Sequence, residues 1–103
     1  MPKVSPAHGG IGFEWDADKA RANLAKHGVS FAQAVEAFAD PRAVLKEDVL
    51  HSHQELRYVL IGRESTLQTL TVVHCERAAG SVFRIISARL ATAAEELYYL
   101  TGG

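Results

Sequence analysis

The sequence predicts an α+β domain: two N-terminal helices packed on a four-stranded antiparallel meander sheet, with a short C-terminal helix. Three observations lead there. Between Trp15 and Phe38 apolar residues recur at spacings of three and four. After Pro41 the period falls to two, in segments rich in β-branched residues. The connections between those segments are short, which suits hairpins. The expected order is ααββββα, with the helices on one face of the sheet.

The chain has 103 residues, the size of one compact domain. With 48% hydrophobic and 22% charged residues it falls among globular chains rather than disordered ones. Cys75 is the single cysteine, so no internal disulfide is possible and a reducing, cytoplasmic setting is expected. No apolar run has the length of a signal peptide or a membrane span. Lys and Arg total 11 against 12 Asp and Glu, so any contact with nucleic acid must come from a local cluster.

Residues 1–12, "MPKVSPAHGGIG", are rich in glycine and proline and lack periodicity; they are expected as a flexible arm before a single domain spanning 13–103. Asp16 can cap the first helix, with Ala17, Ala20 and Leu24 on one face and Lys19, Asn23 and Lys26 on another. Gly28 ends it. Ser30 and Gln33 form a capping box for the second helix, whose apolar stripe is Phe31, Ala34, Val35 and Phe38, and Asp40-Pro41 closes it. The expected strands are "AVLKEDV", "LRYVLIGR" (Leu56 to Arg63), "LTVVHCER" (Leu70 to Arg77) and "VFRIISAR" (Val82 to Arg89). Thr92 and Glu95 start the last helix.

If "AAGS" closes a symmetric hairpin, Arg77 lies opposite Val82 and Leu70 opposite Arg89. His74, Glu76, Ser87 and Arg89 then share one face, and Arg77 and Arg84 share the other with Cys75. A slip of one residue reverses half of this. In one register of the second strand Arg57 and Arg63 join the His74 face; in the adjacent one Tyr58 does. Taken singly, such residues are usually solvated strand positions. Together, arginine, histidine and glutamate on one face suit phosphodiester cleavage, which needs a base, an acid and cations on the charge developing at phosphorus. His51 and His53 form an "HSH" pair without a second ligand pair at metal-binding spacing, so neither a metal nor another cofactor is expected. Cys75 reads as a small buried hydrophobe.

The segments "FEWDADKARANLAKHGVSFAQAVEAFADP", "RYVLIGR", "VVHCER" and "FRIISARLAT" resemble the BrnT toxins of bacterial type II toxin–antitoxin pairs. The likeness runs from about Phe13 to Thr92. It implies a RelE-like (microbial RNase-like) fold and a metal-independent endoribonuclease that cleaves RNA and inhibits translation. It also implies a partner, a BrnA-like ribbon-helix-helix antitoxin, through which alone the pair would touch operator DNA. Carried over by motif, Arg63 and Arg89 become phosphate or transition-state contacts and His74 a proton-transfer group, with Glu76 as its alternative. Lys26 and His27 would line the RNA site or the antitoxin interface, and Arg57 and Arg84 join them as candidate RNA contacts. One departure stands out. Where relatives continue with further cations, this chain reads "LATAAEE", with Leu90, Ala93, Ala94, Glu95 and Glu96. Fewer cations weaken RNA binding, so the alternative is a catalytically weak or inactive homologue that binds antitoxin as a co-repressor module. "AEELYYL" could also present Leu97, Tyr98 and Leu100 to a partner or to the core.

Overall fold

A computed structural model of the chain describes residues 3–8, 11–52 and 55–103. Their elements run in the order β1 (Lys3–His8), β2 (Ile11–Glu14), α1 (Ala17–His27), α2 (Phe31–Ala37), β3 (Val44–Glu47), β4 (Arg57–Arg63), β5 (Thr69–Arg77), β6 (Val82–Leu90) and α3 (Ala93–Leu100). The strands form one sheet in the order β1-β2-β6-β5-β4-β3.

The helix ends follow local chemistry. Asp16 caps α1 by accepting from the Asp18 N–H, and Gly28 closes it at φ 70°, where a side chain would be strained. Ser30–Gln33 and Thr92–Glu95 both form complete capping boxes. Lys26 and His27 fall in the last turn of α1, where the helix dipole favours cations.

From β3 to β6 the sheet is the expected antiparallel meander. Two features differ. The stretch read as an arm contributes β1 and β2, and β2 pairs in parallel with β6, so the sheet is mixed and six-stranded among the described residues. The reason is tertiary: the outer edge of β6 offers backbone partners, Gly12 N–H bonds to the Ser81 carbonyl at 2.9 Å, and Phe13 is fully buried beside the edge. The second difference concerns α3, which lies across the face opposite α1 and α2, so the helices do not share one side.

On the α1/α2 face, Leu60, Leu70, Val72, Ile85 and Ala88 pack against Phe31, Ala34, Val35 and Ala37. Gly62 is required here, because a Cβ would stand 2.9 Å from the Ala37 carbonyl oxygen. Toward the other end of this face, Phe13, Phe38, Phe83 and His74 form an aromatic cluster with ring centroids 4.8–6.0 Å apart.

The register of β6 holds an irregularity that decides the rest. Near the turn Arg77 pairs with Val82, as expected, but His74 pairs with Ile85 and Val73 with Ser87. Ile86 is therefore a bulge, and beyond it every side chain of β6 changes face. Leu70 consequently faces Leu90 rather than Arg89.

Next to the bulge, α1 closes the β6 edge with a side chain. Asn23 Nδ2 donates to the Ala88 carbonyl at 2.8 Å and to the Val29 carbonyl at 2.9 Å, and its Oδ1 accepts the Ala88 N–H at 3.1 Å. The amide pairs with Ala88 as a neighbouring strand would. Asn23 is buried while Leu24, placed with Ala17 and Ala20 on the apolar face of α1, is half exposed. Replacing Asn23 with Ala leaves two buried backbone groups of Ala88 without partners. It should lower stability by about 2–3 kcal/mol in denaturant unfolding, whereas Leu24→Ala should cost well under half as much.

Candidate functional site

The cross-strand register sorts the polar residues of β4, β5 and β6 onto two faces. Arg57 pairs with Cys75, Cys75 with Arg84, Arg63 with Thr69, Thr71 with Arg89 and Arg77 with Val82. Residues paired directly across strands point to the same side. All five arginines of these strands therefore lie on the face away from α1 and α2. Arg84 and Arg89, five residues apart, would face opposite ways in a regular strand; the Ile86 bulge puts them together.

His74 and Glu76 go to the other face, with Tyr58, Leu60, Val72 and Phe83. This corrects the expected grouping of His74, Glu76, Ser87 and Arg89. It also corrects the register in which Arg57 and Arg63 joined His74; Tyr58 does. His74 is 1% exposed and stacked among Phe38, Phe83 and Tyr58, with Nδ1 lacking a partner. Burial pushes its pKa down to about 4, against a smaller opposing hydrogen bond to the Val72 backbone. It is a neutral core ring at physiological pH.

At one end of the arginine face, α3 supplies carboxylates. Arg89 makes a two-pronged contact with Glu95, Nη1 to Oε1 at 2.7 Å and Nη2 to Oε2 at 2.9 Å. Glu95 Oε1 also accepts from the Thr71 hydroxyl and the Thr92 N–H, both at 2.9 Å. The Arg89 bonds chiefly, opposed by burial and aided by Thr92 and Thr71, hold the Glu95 pKa at about 2. Arg63 Nη2 meets Glu96 Oε1 at 3.2 Å, a looser pair with both side chains about a third exposed. The Arg63 backbone N–H and the Tyr99 hydroxyl both donate to Asp40 Oδ2, at 2.8 and 2.7 Å, and the Arg63 guanidinium sits 5.2 Å from the Tyr99 ring centre. Burial raises the Asp40 pKa, but the bonds from Arg63, Tyr99 and Arg42 outweigh it and hold the carboxyl below its ordinary value.

At the other end, Arg77 is taken by Glu55 at 3.2 Å and Glu14 at 3.9 Å. Arg57 and Arg84 flank the buried Cys75 and pair with no carboxylate among the described residues. They stand two strand spacings apart, about 10 Å. Val59, Val73 and Ser87, all partly exposed, line the floor between them and α3. Ser87 also opens onto a cleft of about 220 Å³ at the β6 edge, shared with Lys19, Lys26, His27 and Ile86. Thus Lys26 and His27 border the arginine face at the β6 edge, whereas His74 is on the opposite face. His51 bonds Asp48 at 2.9 Å in an exposed turn, and His53 lies outside the described residues.

Sequence reasoning missed Asp40, Thr71 and Tyr99, which brace Arg63 and Glu95. The Asp40-Pro41 pair was visible only as a helix stop. Tyr99 turns inward at 6% exposure, whereas Leu97 and Leu100, each 62% exposed, face outward.

The family model for the ribonuclease toxin BrnT of type II toxin–antitoxin systems matches residues 15–95. The chain belongs to the BrnT family. Its fold is also that of the Brucella abortus ribonuclease toxin BrnT: the crystal structure superposes with a TM-score of 0.59 at 24% identity, covering 78% of this chain and 95% of that one. No curated protein matches the chain. Membership in a type II family of ribonuclease toxins implies a protein antitoxin as partner.

The buried state of His74 has a pH signature. Its folded pKa near 4 lies below the unfolded value of 6.5, so the unfolded chain takes up the proton first. Stability from the neutral ring is complete above pH 6.5 and is lost as pH falls toward 4. A His74→Phe variant should flatten the stability profile between pH 6.5 and 4, as read by denaturant midpoints. An unchanged slope would mean that the ring is not a buried base.

Proposed function

We propose that this BrnT-family chain is a metal-independent endoribonuclease that lays RNA along the arginine face of the sheet and cleaves it by internal attack of the 2′-hydroxyl. One observation carries the reading: every arginine of β4, β5 and β6 shares the face that α1 and α2 leave uncovered. Arg57 and Arg84, free of carboxylates among the described residues, take backbone phosphates. Arg89 is fixed by Glu95 and by the Leu90 carbonyl in one orientation, which leaves its Nε and outer Nη2 N–H groups to stabilise charge developing at phosphorus. Glu95 is a positioning residue, because a carboxylate with so low a pKa and so many donors is a poor base. Arg63 contributes once RNA competes with Glu96. Lys26 and His27 close the β6 side, and His27 takes the proton-transfer role in place of His74 and Glu76. Cleavage of translated RNA accounts for translation inhibition, and a BrnA-like ribbon-helix-helix antitoxin neutralises the enzyme, with the outward Leu97 and Leu100 of α3 as apolar contact surface.

The alternative is a weak or inactive toxin that acts as an antitoxin-binding co-repressor. The pairing of both Arg63 and Arg89 with α3 carboxylates favours it.

The test uses antitoxin-free protein with unstructured RNA in chelator. Wild type should cleave. Arg57→Ala/Arg84→Ala should cut the rate at least about tenfold and lower the salt slope of RNA binding by about 1.4, two phosphate contacts at roughly 0.7 each. Arg89→Ala should cost on the order of 10²-fold, and Glu96→Gln should raise the rate. No cleavage by folded wild type, or cleavage unchanged in Arg57→Ala/Arg84→Ala, contradicts the enzyme reading.

A further inference from the structure

Arg63 also lines a cavity that the cleavage reading does not use. It has a volume of about 510 Å³, the size of a small-ligand pocket, and lies beyond α3 at the β4–β5 turn. Pro41, Ala39, Leu67 and the Tyr99 ring supply apolar walls. Its polar groups come in two kinds. Glu36, Asp40 and Glu64 are acceptors, the buried Glu64 being already taken by the Thr66 hydroxyl; Arg42 and Arg63 are donors. Glu36 and Asp40 are placed by bonds that leave capacity over. Glu36 Oε1 holds the turn through the Ser65 N–H at 3.1 Å and the Ser65 hydroxyl at 2.8 Å, while its Oε2 is unengaged among the described residues. Asp40 Oδ1 accepts only the Arg42 N–H, at 2.9 Å.

We infer that this cavity is a guanine subsite, holding the base of a nucleotide next to the phosphate that Arg63 contacts. The inference rests on the ribonuclease reading for its substrate, RNA. Guanine is the RNA base that carries two adjacent donors, N1–H and the 2-amino group, which together match a carboxylate. On its opposite side it carries two adjacent acceptors, O6 and N7, which match a guanidinium. A pocket with carboxylates and arginines on apolar walls fits that pattern. Uracil and cytosine set a carbonyl or ring nitrogen against the carboxylates, and adenine offers its amino group beside an acceptor. Single-stranded RNA is commonly read this way, with an unstacked base bonded along its edges.

The probe is a set of mononucleotides, 3′-GMP, 3′-AMP, 3′-CMP and 3′-UMP, titrated into the full chain and followed by backbone amide shifts. 3′-GMP should move Ser65, Leu67 and Arg42 and bind at least about tenfold more tightly than the pyrimidines, the value of one good bidentate pair. Glu36→Gln should remove that preference. Leu67→Ala, at a position 73% exposed and so harmless to folding, should weaken 3′-GMP severalfold. Equal binding of all four nucleotides, or no shifts at the cavity, overturns the inference. Cleavage of RNA without preference for guanosine overturns the subsite and leaves the ribonuclease reading intact. Selective 3′-GMP binding without RNA cleavage does the reverse.

Discussion

The bulge at Ile86 decides what the sheet can do. A regular β6 would send Arg84 and Arg89 to opposite faces and set Arg89 beside the Leu70, Val72 and His74 row. One of the two guanidiniums would then sit among core side chains, which is costly for a charge without a partner. With the extra residue, the arginines gather on one side and the apolar and aromatic residues on the other. Bulges near sites commonly re-aim a side chain in this way. The same residue lines the cleft where Lys26 and His27 meet Ser87.

Two side-chain devices hold that arrangement. Asn23 takes the place of a missing strand at Ala88, immediately after the bulge, and its bond to the Val29 carbonyl ties the same amide to the α1–α2 corner. The Lys26–Ser30 corner is therefore fixed to the β6 edge rather than only well capped. On the far side, Glu95 serves twice, as the N3 residue of the α3 capping box and as the partner of Arg89. Helix start and guanidinium orientation are set by one carboxylate. Glu96 caps no helix; it accepts from the Thr69 hydroxyl and pairs with Arg63 in a partly exposed position, where an ion pair is worth little. The α3 carboxylates thus act unequally, one fixing a cation and the other competing for it.

Much of this was legible in the chain. The caps at Asp16, Gly28, Ser30 and Thr92 depend on neighbours two to four residues away, so local chemistry sufficed. β4, β5 and β6 declared themselves by alternation and β-branched residues, and the turn fixed Arg77 against Val82. The four motifs that resemble BrnT led to the family that the matched model assigns. What stayed hidden depends on distant partners. β2 pairs with β6 because the edge of β6 is there to receive it, although residues 1–12 have little strand propensity of their own. The bulge changes the face of Ser87 and Arg89 without any mark in "IISAR". His74 looked like a reactive group because its polar character was visible and its aromatic enclosure was not. Asn23 shares a polar face with Lys19 and Lys26, and its burial was hidden for the converse reason, since its partner is 65 residues away.

RNA itself can report on the division of the sheet into a cationic face and an apolar face. Titrating a short 2′-O-methyl RNA, which cannot undergo internal attack, while observing arginine Nε–H and aromatic ring signals would map the contact directly. Shifts are expected for Arg57, Arg84 and Arg89, with the rings of Tyr58 and His74 unmoved. Shifts at Tyr58 and His74 with the arginines silent would contradict that division.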